Sequence, residues 1–203
     1  LLAQHNILFT ILAPRQAKAF RKLNDDQWQT INENQLDTAI PYAYKLPSGR
    51  TIALFFYNGQ ISREVAFNGL LNSGKLFADR LIAATRDTEQ PQLIHIATDG
   101  ESYGHHHYRG DMALASCIDY LKKNKSVTLT NYGEFLAKFP PQYEIQIHEN
   151  SSWSCVHGVE RWRSNCGCSD GGNPGFHQQW RAPLRNALNW LKEKADVVFE
   201  TEM

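Results

Sequence analysis

A short apolar run, Leu93-Ile94-His95-Ile96-Ala97-Thr98, breaks at Asp99 into the loop DGESYGHHHY. The run reads as a buried strand of a parallel sheet. The loop then gathers two carboxylates, two glycines and three consecutive histidines, Asp99 to Tyr108, where a strand gives way to irregular backbone. In parallel α/β folds the loops at the carboxyl ends of strands carry the chemistry. An ordinary turn needs no such concentration of titratable groups, so this segment is the candidate edge of an active site.

The rest of the chain repeats the order of strand, then helix. Phe9–Leu12 reads as a strand stopped at Ala13-Pro14, where the missing N–H ends the ladder. Lys18–Gln35 is polar and Asn-rich, and reads as a loop with one helical turn. Tyr42–Lys45 and Thr51–Tyr57 flank Pro47-Ser48-Gly49, a hairpin signal. Ile61, Val65, Ala66, Leu70 and Leu71 recur at helical spacing, and Gly74 precedes a second helix reaching about Ala84. Past the histidines, Met112–Leu121 carries the apolar stripe of an amphipathic helix, and Val127–Leu129 reads as a short strand. Thr130 or Asn131 can cap a helix Tyr132–Phe139, which Pro140-Pro141 ends. Tyr143, Ile145 and Ile147 alternate as a strand, a loop runs from Glu149 to about Phe176, and Gln178–Lys194 closes as a helix. This order argues for an α/β fold with a parallel sheet, and there are too few strands for a whole eight-stranded barrel.

Length and charge bound the function. At 203 residues the chain fits one domain, expected over residues 1–203. Lys+Arg and Asp+Glu are equal at 21, so no field for nucleic acid or membrane is implied. No signal peptide and no 18-residue apolar run is present, and four clustered Cys do not make a secreted disulfide framework, so a cytoplasmic setting is expected. Leu1–Leu12 reads as the tail of a helix followed by a strand, without an initiator Met or cap, and a partial sequence is expected. Of the five Trp, most fall in the final quarter beside polar residues, as in a sugar-binding cleft, although any single Trp can equally fill a core.

Two segments concentrate chemistry. Asp99 and Glu101 share a face if strand geometry persists. Paired carboxylates in a partly dry cleft do not ionise together, which lets one hold a proton as a general acid; the plain alternative is a helix-capping Asp beside a surface Glu. His105, His106 and His107 suit hydrogen bonding to substrate or carboxylate better than a metal, because adjacent histidines seldom converge on one ion. The second segment, Ser151 to Cys168, holds Cys155, His157, Cys166 and Cys168, a set able to close a tetrahedral zinc site. Its C-x-H and C-x-C spacings are tighter than the usual C-x-x-C, and buried thiols or a redox-sensitive pair are the alternatives. Arg161, Arg163 and Arg181 read as loop-stabilising or sugar-contacting residues.

At these two segments the chain resembles glycoside hydrolase family 57, retaining α-glucan-active enzymes built on an incomplete, TIM-like (β/α)7 barrel. The family pattern D-A/G-E-x-F/Y-G-H is met position by position by Asp99-Gly100-Glu101-Ser102-Tyr103-Gly104-His105. The resemblance implies that Asp99 is the general acid/base and that Glu101 and His105 are neighbours in the cleft. A later family motif has Ser-Ser-Trp followed nine residues on by Trp. Ser151-Ser152-Trp153 and Trp162 meet it, so Ser152, Trp153 and Trp162 are implied to bind an oligo- or polysaccharide. Inside that motif Ser154-Cys155-Val156-His157 replaces a small, acidic, Gly-rich stretch, which resembles a bacterial branch more than the amylases or branching enzymes. The family nucleophile is a Glu in a W-L-P-E-like stretch, implied to lie upstream of Leu1. The chain is then the C-terminal portion of a partial (β/α)7 barrel lacking its N-terminal half, inactive alone, and needing no cofactor for catalysis. Two other readings are a metal-dependent polysaccharide deacetylase-like enzyme, with Asp99 and two of His105–His107 on a divalent ion, and a non-catalytic carbohydrate-binding remnant keeping Trp153 and Trp162.

Overall fold

The computed structural model describes residues 1–169, 172–173 and 175–202. They form two compact units, Leu1–Ile147 and His148–Met203. The first holds six strands, β1 (Phe9–Leu12), β2 (Ala17–Lys22), β3 (Gln29–Thr30), β4 (Tyr42–Lys45), β5 (Thr51–Phe56) and β6 (Tyr143–Ile147). They make one sheet in the order β1-β5-β4-β6-β2-β3. The pairs β1–β5 and β4–β6 are parallel, and β4–β5, β2–β6 and β2–β3 are antiparallel. The sheet is therefore mixed. The hairpin at Pro47-Ser48-Gly49 folds β4 back on β5 with Lys45 opposite Thr51, which fixes an antiparallel pair.

Strand β2 lies where the sequence reads as loop. Its alternation is real, with Ala17 and Ala19 buried and Lys18 exposed, but alanines are weak strand formers and the lysines and arginine around them mask the period. Arg21 and Glu144 sit opposite each other across β2–β6, 2.7 Å apart, and Lys45 lies 3.3 Å from the same carboxylate oxygen. Burial alone would raise Glu144, yet the two cations hold it below the usual carboxylate range. The segments 93–97 and 127–129 run without sheet pairing, against expectation. The first spends its backbone groups on three separate partners, as described below, and Val127 spends its apolar surface against the helices.

Four helices complete this unit: α1 (Gly59–Phe67), α2 (Gly74–Ile82), α3 (Gly110–Lys123) and α4 (Tyr132–Lys138). Asn58, Ser73 and Asn131 cap α1, α2 and α4 by accepting the Ile61, Leu76 and Glu134 N–H groups. Two apolar clusters divide the core. One joins Ile61 and Val65 of α1 to Phe77 and Ala78 of α2 and to Ala113, Cys117 and Leu121 of α3. The other joins Ile52, Leu54 and Phe56 of β5 to Tyr42, Ala17 and Ile145. Phe55, on the opposite face of β5, is also fully buried, against the rings of Phe9, Tyr132 and Phe135. A strand packed on both faces needs the unbroken apolar run found from Ile52 to Phe56.

In the second unit a short helix α5 (Glu160–Arg163) interrupts the expected loop. The last helix, α6 (Arg181–Glu202), runs 22 residues, past the expected end at Lys194, because neither Gly nor Pro follows to stop it. None of its residues is buried, and no helix of the described residues is long and apolar enough to cross a membrane.

The tightest helix approach supplies a test. A Cβ on Gly74 would stand 2.6 Å from the Ala113 carbonyl oxygen and 2.5 Å from the Ser116 Cβ, so α2 meets α3 almost backbone to backbone. Gly74→Ala will destabilise the chain by roughly 1–3 kcal/mol despite alanine's better helix propensity. A lowered urea midpoint with an unchanged m-value is the expected readout.

Candidate active-site edge and thiol cluster

Residues 93–98 lead to Asp99 in extended form. Leu93 N–H donates to the Ala39 carbonyl at 2.8 Å, and the His95 carbonyl accepts from Asn58 N–H at 2.9 Å. The Ala97 N–H donates to Ser62 Oγ at 3.1 Å, while that hydroxyl donates to the Asn58 carbonyl at 2.7 Å. Ile94 and Ile96 pack on the helical cluster. His95, between them, points to the other side. Its Nε2 lies 3.1 Å from the Thr38 carbonyl, an acceptor only, so Nε2 carries the proton and Nδ1 accepts from the Tyr132 hydroxyl at 3.0 Å. The Tyr132 and Phe55 rings meet the imidazole edge to face. Burial drives its pKa down to about 4, against the opposing pull of the Thr38 carbonyl.

At Asp99 the extended geometry stops. Asp99, with φ −66° and ψ 140°, precedes a 3-10 turn over Gly100–Tyr103, and its carbonyl accepts the Ser102 N–H at 3.1 Å. Glu101 falls inside that turn, so the two carboxylates do not share a strand face as the spacing predicts. Both are exposed, and the Asp99 carboxylate makes no capping bond. The turn is tied down around them: the Glu101 carbonyl accepts from His105 and His106 N–H, Ser102 is buried, and Tyr103 OH meets Thr98 Oγ1 at 2.8 Å. His107 Nε2 is taken by the Ala66 carbonyl of α1 at 2.9 Å, whereas His105 and His106 are exposed, their rings 5.0 Å apart. Among the described residues, Asp99 and these histidines do not form a group of converging metal donors.

Such a group forms in the second unit. Cys155 Sγ lies 3.6 Å from His157 Nδ1 and 3.2 Å from Cys168 Sγ, and His157 Nδ1 is 3.2 Å from Cys168 Sγ. With Cys166 added, all four donor atoms lie within 4.8 Å of one another. Bonds from the Cys168 backbone and thiol hold Cys166 below the usual thiol range, and the Cys155 contact pushes Cys168 up to about 11. The remaining cysteine, Cys117, is in the helical core, where burial pushes it up to about 11 and leaves an inert thiol. Nearby in sequence, Ser152 is buried with its Oγ accepting the Ser154 N–H, while Trp153 and Trp162 are exposed by 62% and 45%. Trp162 lines an open groove of about 270 Å3 between α5 and α6 with Trp180, Arg161, Arg181, Leu184 and Leu188.

Helices packed over a mixed sheet, with the chemistry-bearing loop at the end of an extended segment, make this a partial TIM-like α/β barrel. Two solved structures share that fold. The 4-alpha-glucanotransferase from Thermococcus litoralis is 18% identical, with a TM-score of 0.52 over 74% of this chain and 22% of its own. An exo-type maltose-forming amylase from Pyrococcus sp. ST04 is 19% identical, with a TM-score of 0.55 over 77% of this chain and 28% of its own. This chain therefore spans less than a third of either. The sequence model of Glycosyl hydrolase family 57 matches residues 17–148, and the chain belongs to that family. Residues 176–203 match a domain of unknown function, DUF3536. No curated protein matches the chain.

Sequence reasoning did not pick out His95, Asn58 and Ser62 as the residues that set the position of Asp99. One signal was there to read, a single histidine inside an otherwise apolar run. Its burial makes stability depend on pH. The unfolded chain binds a proton at His95 near pH 6.5, and the folded chain does so only near pH 4, so stability falls as pH drops through this window, by at most about 3 kcal/mol. His95→Gln, which keeps a donor for Thr38, will flatten that part of a denaturation-against-pH profile. An unchanged slope would show that the imidazole titrates freely.

Proposed function

We propose that this chain is the acid/base portion of an enzyme that hydrolyses or transfers α-glucosidic bonds with retention of configuration. One observation carries the reading: the family match takes in the whole of DGESYGH, and Asp99 stands exposed at the end of its held segment with its carboxylate uncommitted to capping. In the first step the Asp99 carboxyl gives its proton to the departing glycosidic oxygen while a Glu upstream of Leu1 attacks the anomeric carbon. In the second, the Asp99 carboxylate removes a proton from water or a sugar hydroxyl, which displaces the Glu, and the two inversions restore the configuration. The two carboxyl groups work about 5 Å apart, so the attacking carboxylate is itself the charge that keeps the proton on Asp99. Exposed Trp153 and Trp162 suit sugar faces, and exposed Glu101 and His105 offer polar contacts to hydroxyls, whereas Ser152 is buried and its Oγ is spent on Ser154. Water as acceptor gives hydrolysis, and a second sugar gives transfer.

Asp99→Ala in the intact protein will lower turnover of maltooligosaccharides by roughly 100- to 10,000-fold. An aryl glucoside whose leaving group needs no proton will suffer far less in its first step, and azide will restore the second. Equal loss on both substrates would remove Asp99 from the acid role, and sugar binding without any turnover by the intact protein would leave only a carbohydrate-binding function. The 203-residue chain by itself will not be labelled by a mechanism-based fluorosugar, because the attacking carboxylate lies outside it; a covalent adduct would refute this division of roles.

A further inference from the structure

The second unit lacks what normally holds a small fold together. Among its described residues only Ser152, Cys155 and Gly158 are buried, and its longest helix buries nothing. A unit of this size without an apolar core requires a staple. The strongest local constraint is the cluster of three sulfurs and one imidazole, whose ligands lie in neither of the two stretches matched to known families.

We propose that Cys155, His157, Cys166 and Cys168 bind one zinc ion in a closed, structural site. Soft thiolates with one imidazole nitrogen are the donor set that selects zinc. Zinc bonded at about 2.3 Å to sulfur and about 2.0 Å to nitrogen sets tetrahedral edges of about 3.8 Å between sulfurs and about 3.6 Å from sulfur to nitrogen. The donor separations, from 3.2 Å to a limit of 4.8 Å, reach those edges with shifts of about 1 Å or less. Four protein ligands leave no open position for a substrate. Binding converts three thiols to thiolates and releases three protons to solvent, so the filled site carries a net charge of minus one. The guanidinium of Arg181 already faces it, with Nη1 3.4 Å from Cys166 Sγ.

The surrounding backbone is shaped for the same purpose. Gly158, at φ +61°, follows His157 where a Cβ would lie 2.0 Å from the Asn150 carbonyl oxygen, so the turn presenting Cys155 and His157 closes on its own start. Gly167, at φ +79°, separates Cys166 from Cys168 and turns both thiols to one side. Gln178 clamps that second turn, with its Nε2 donating to the Cys168 carbonyl and its Oε1 accepting the Gly167 N–H. The ion would thus tie the turn at 155–157 to the turn at 166–168, with Arg181 at the start of α6 beside it.

The test uses the whole chain, purified without chelator, independently of any activity on sugars. Elemental analysis should return one zinc per chain, and native mass spectrometry a mass raised by zinc less the two protons a dication replaces at constant ion charge. Cobalt in its place should give the thiolate charge-transfer band and visible spectrum of a tetrahedral ion. Cys166→Ser and His157→Ala will lose the metal, Cys117→Ala will keep it, and Arg181→Met will weaken it by roughly 10-fold. Because a ligand variant can also fail to fold, thiol titration of the unmutated chain stands beside it: three thiols should become reactive only when a chelator is added. Metal-free chain with all thiols reactive, a covalent Cys155–Cys168 disulfide, iron in place of zinc, or zinc retained by both ligand variants would each overturn the proposal.

Discussion

Residues 93–98 are held by two isolated backbone bonds, to Ala39 and Asn58, and by side chains, where a barrel strand is ordinarily held by a continuous ladder, and the placement of Asp99 depends on that difference. A ladder is indifferent to side-chain identity, since its bonds run between backbones. Here the imidazole of His95, the hydroxyl of Tyr132 and the hydroxyl of Ser62 are part of the framework. The same arrangement frees the backbone at Asp99 to turn at once into the 3-10 helix. The Asp99 carboxylate is left without a capping bond to that turn.

The fold then distributes its duties by region. Apolar burial on both faces of β5 stabilises the first unit, and the neutral imidazole beside Phe55 extends that dry interior up to the base of the loop. The second unit is organised by polar and sulfur contacts, with its indoles on the outside.

Much of this was legible in the chain itself. The hairpin at Pro47–Gly49, the cap at Asn131 and the strand Tyr143–Ile147 stand where turn chemistry and alternation put them. The family was legible because DGESYGH concentrates rare residue types at fixed spacing. Strand β2 was hidden because its buried side chains are alanines, too small to print a hydrophobic period among lysines. Leu93–Ala97 had the composition of a strand, but pairing is decided by what lies alongside, which a run of five residues does not encode. The thiol cluster was visible as a set of donors, while its convergence depends on left-handed backbone at Gly158 and Gly167, which spacing alone does not reveal.

The order of the sheet leaves β1 at one end, joined to β5 on a single flank among the described residues. Its four residues, Phe9-Thr10-Ile11-Leu12, include no charge and no proline to discourage a newcomer. The outward row of amide and carbonyl groups is thus an open template, matched in direction and spacing to another parallel strand. Colloidal behaviour follows from it: whatever strand first lies along that flank, from the same polypeptide or from a neighbour, decides whether the chain stays dispersed or grows into aggregates.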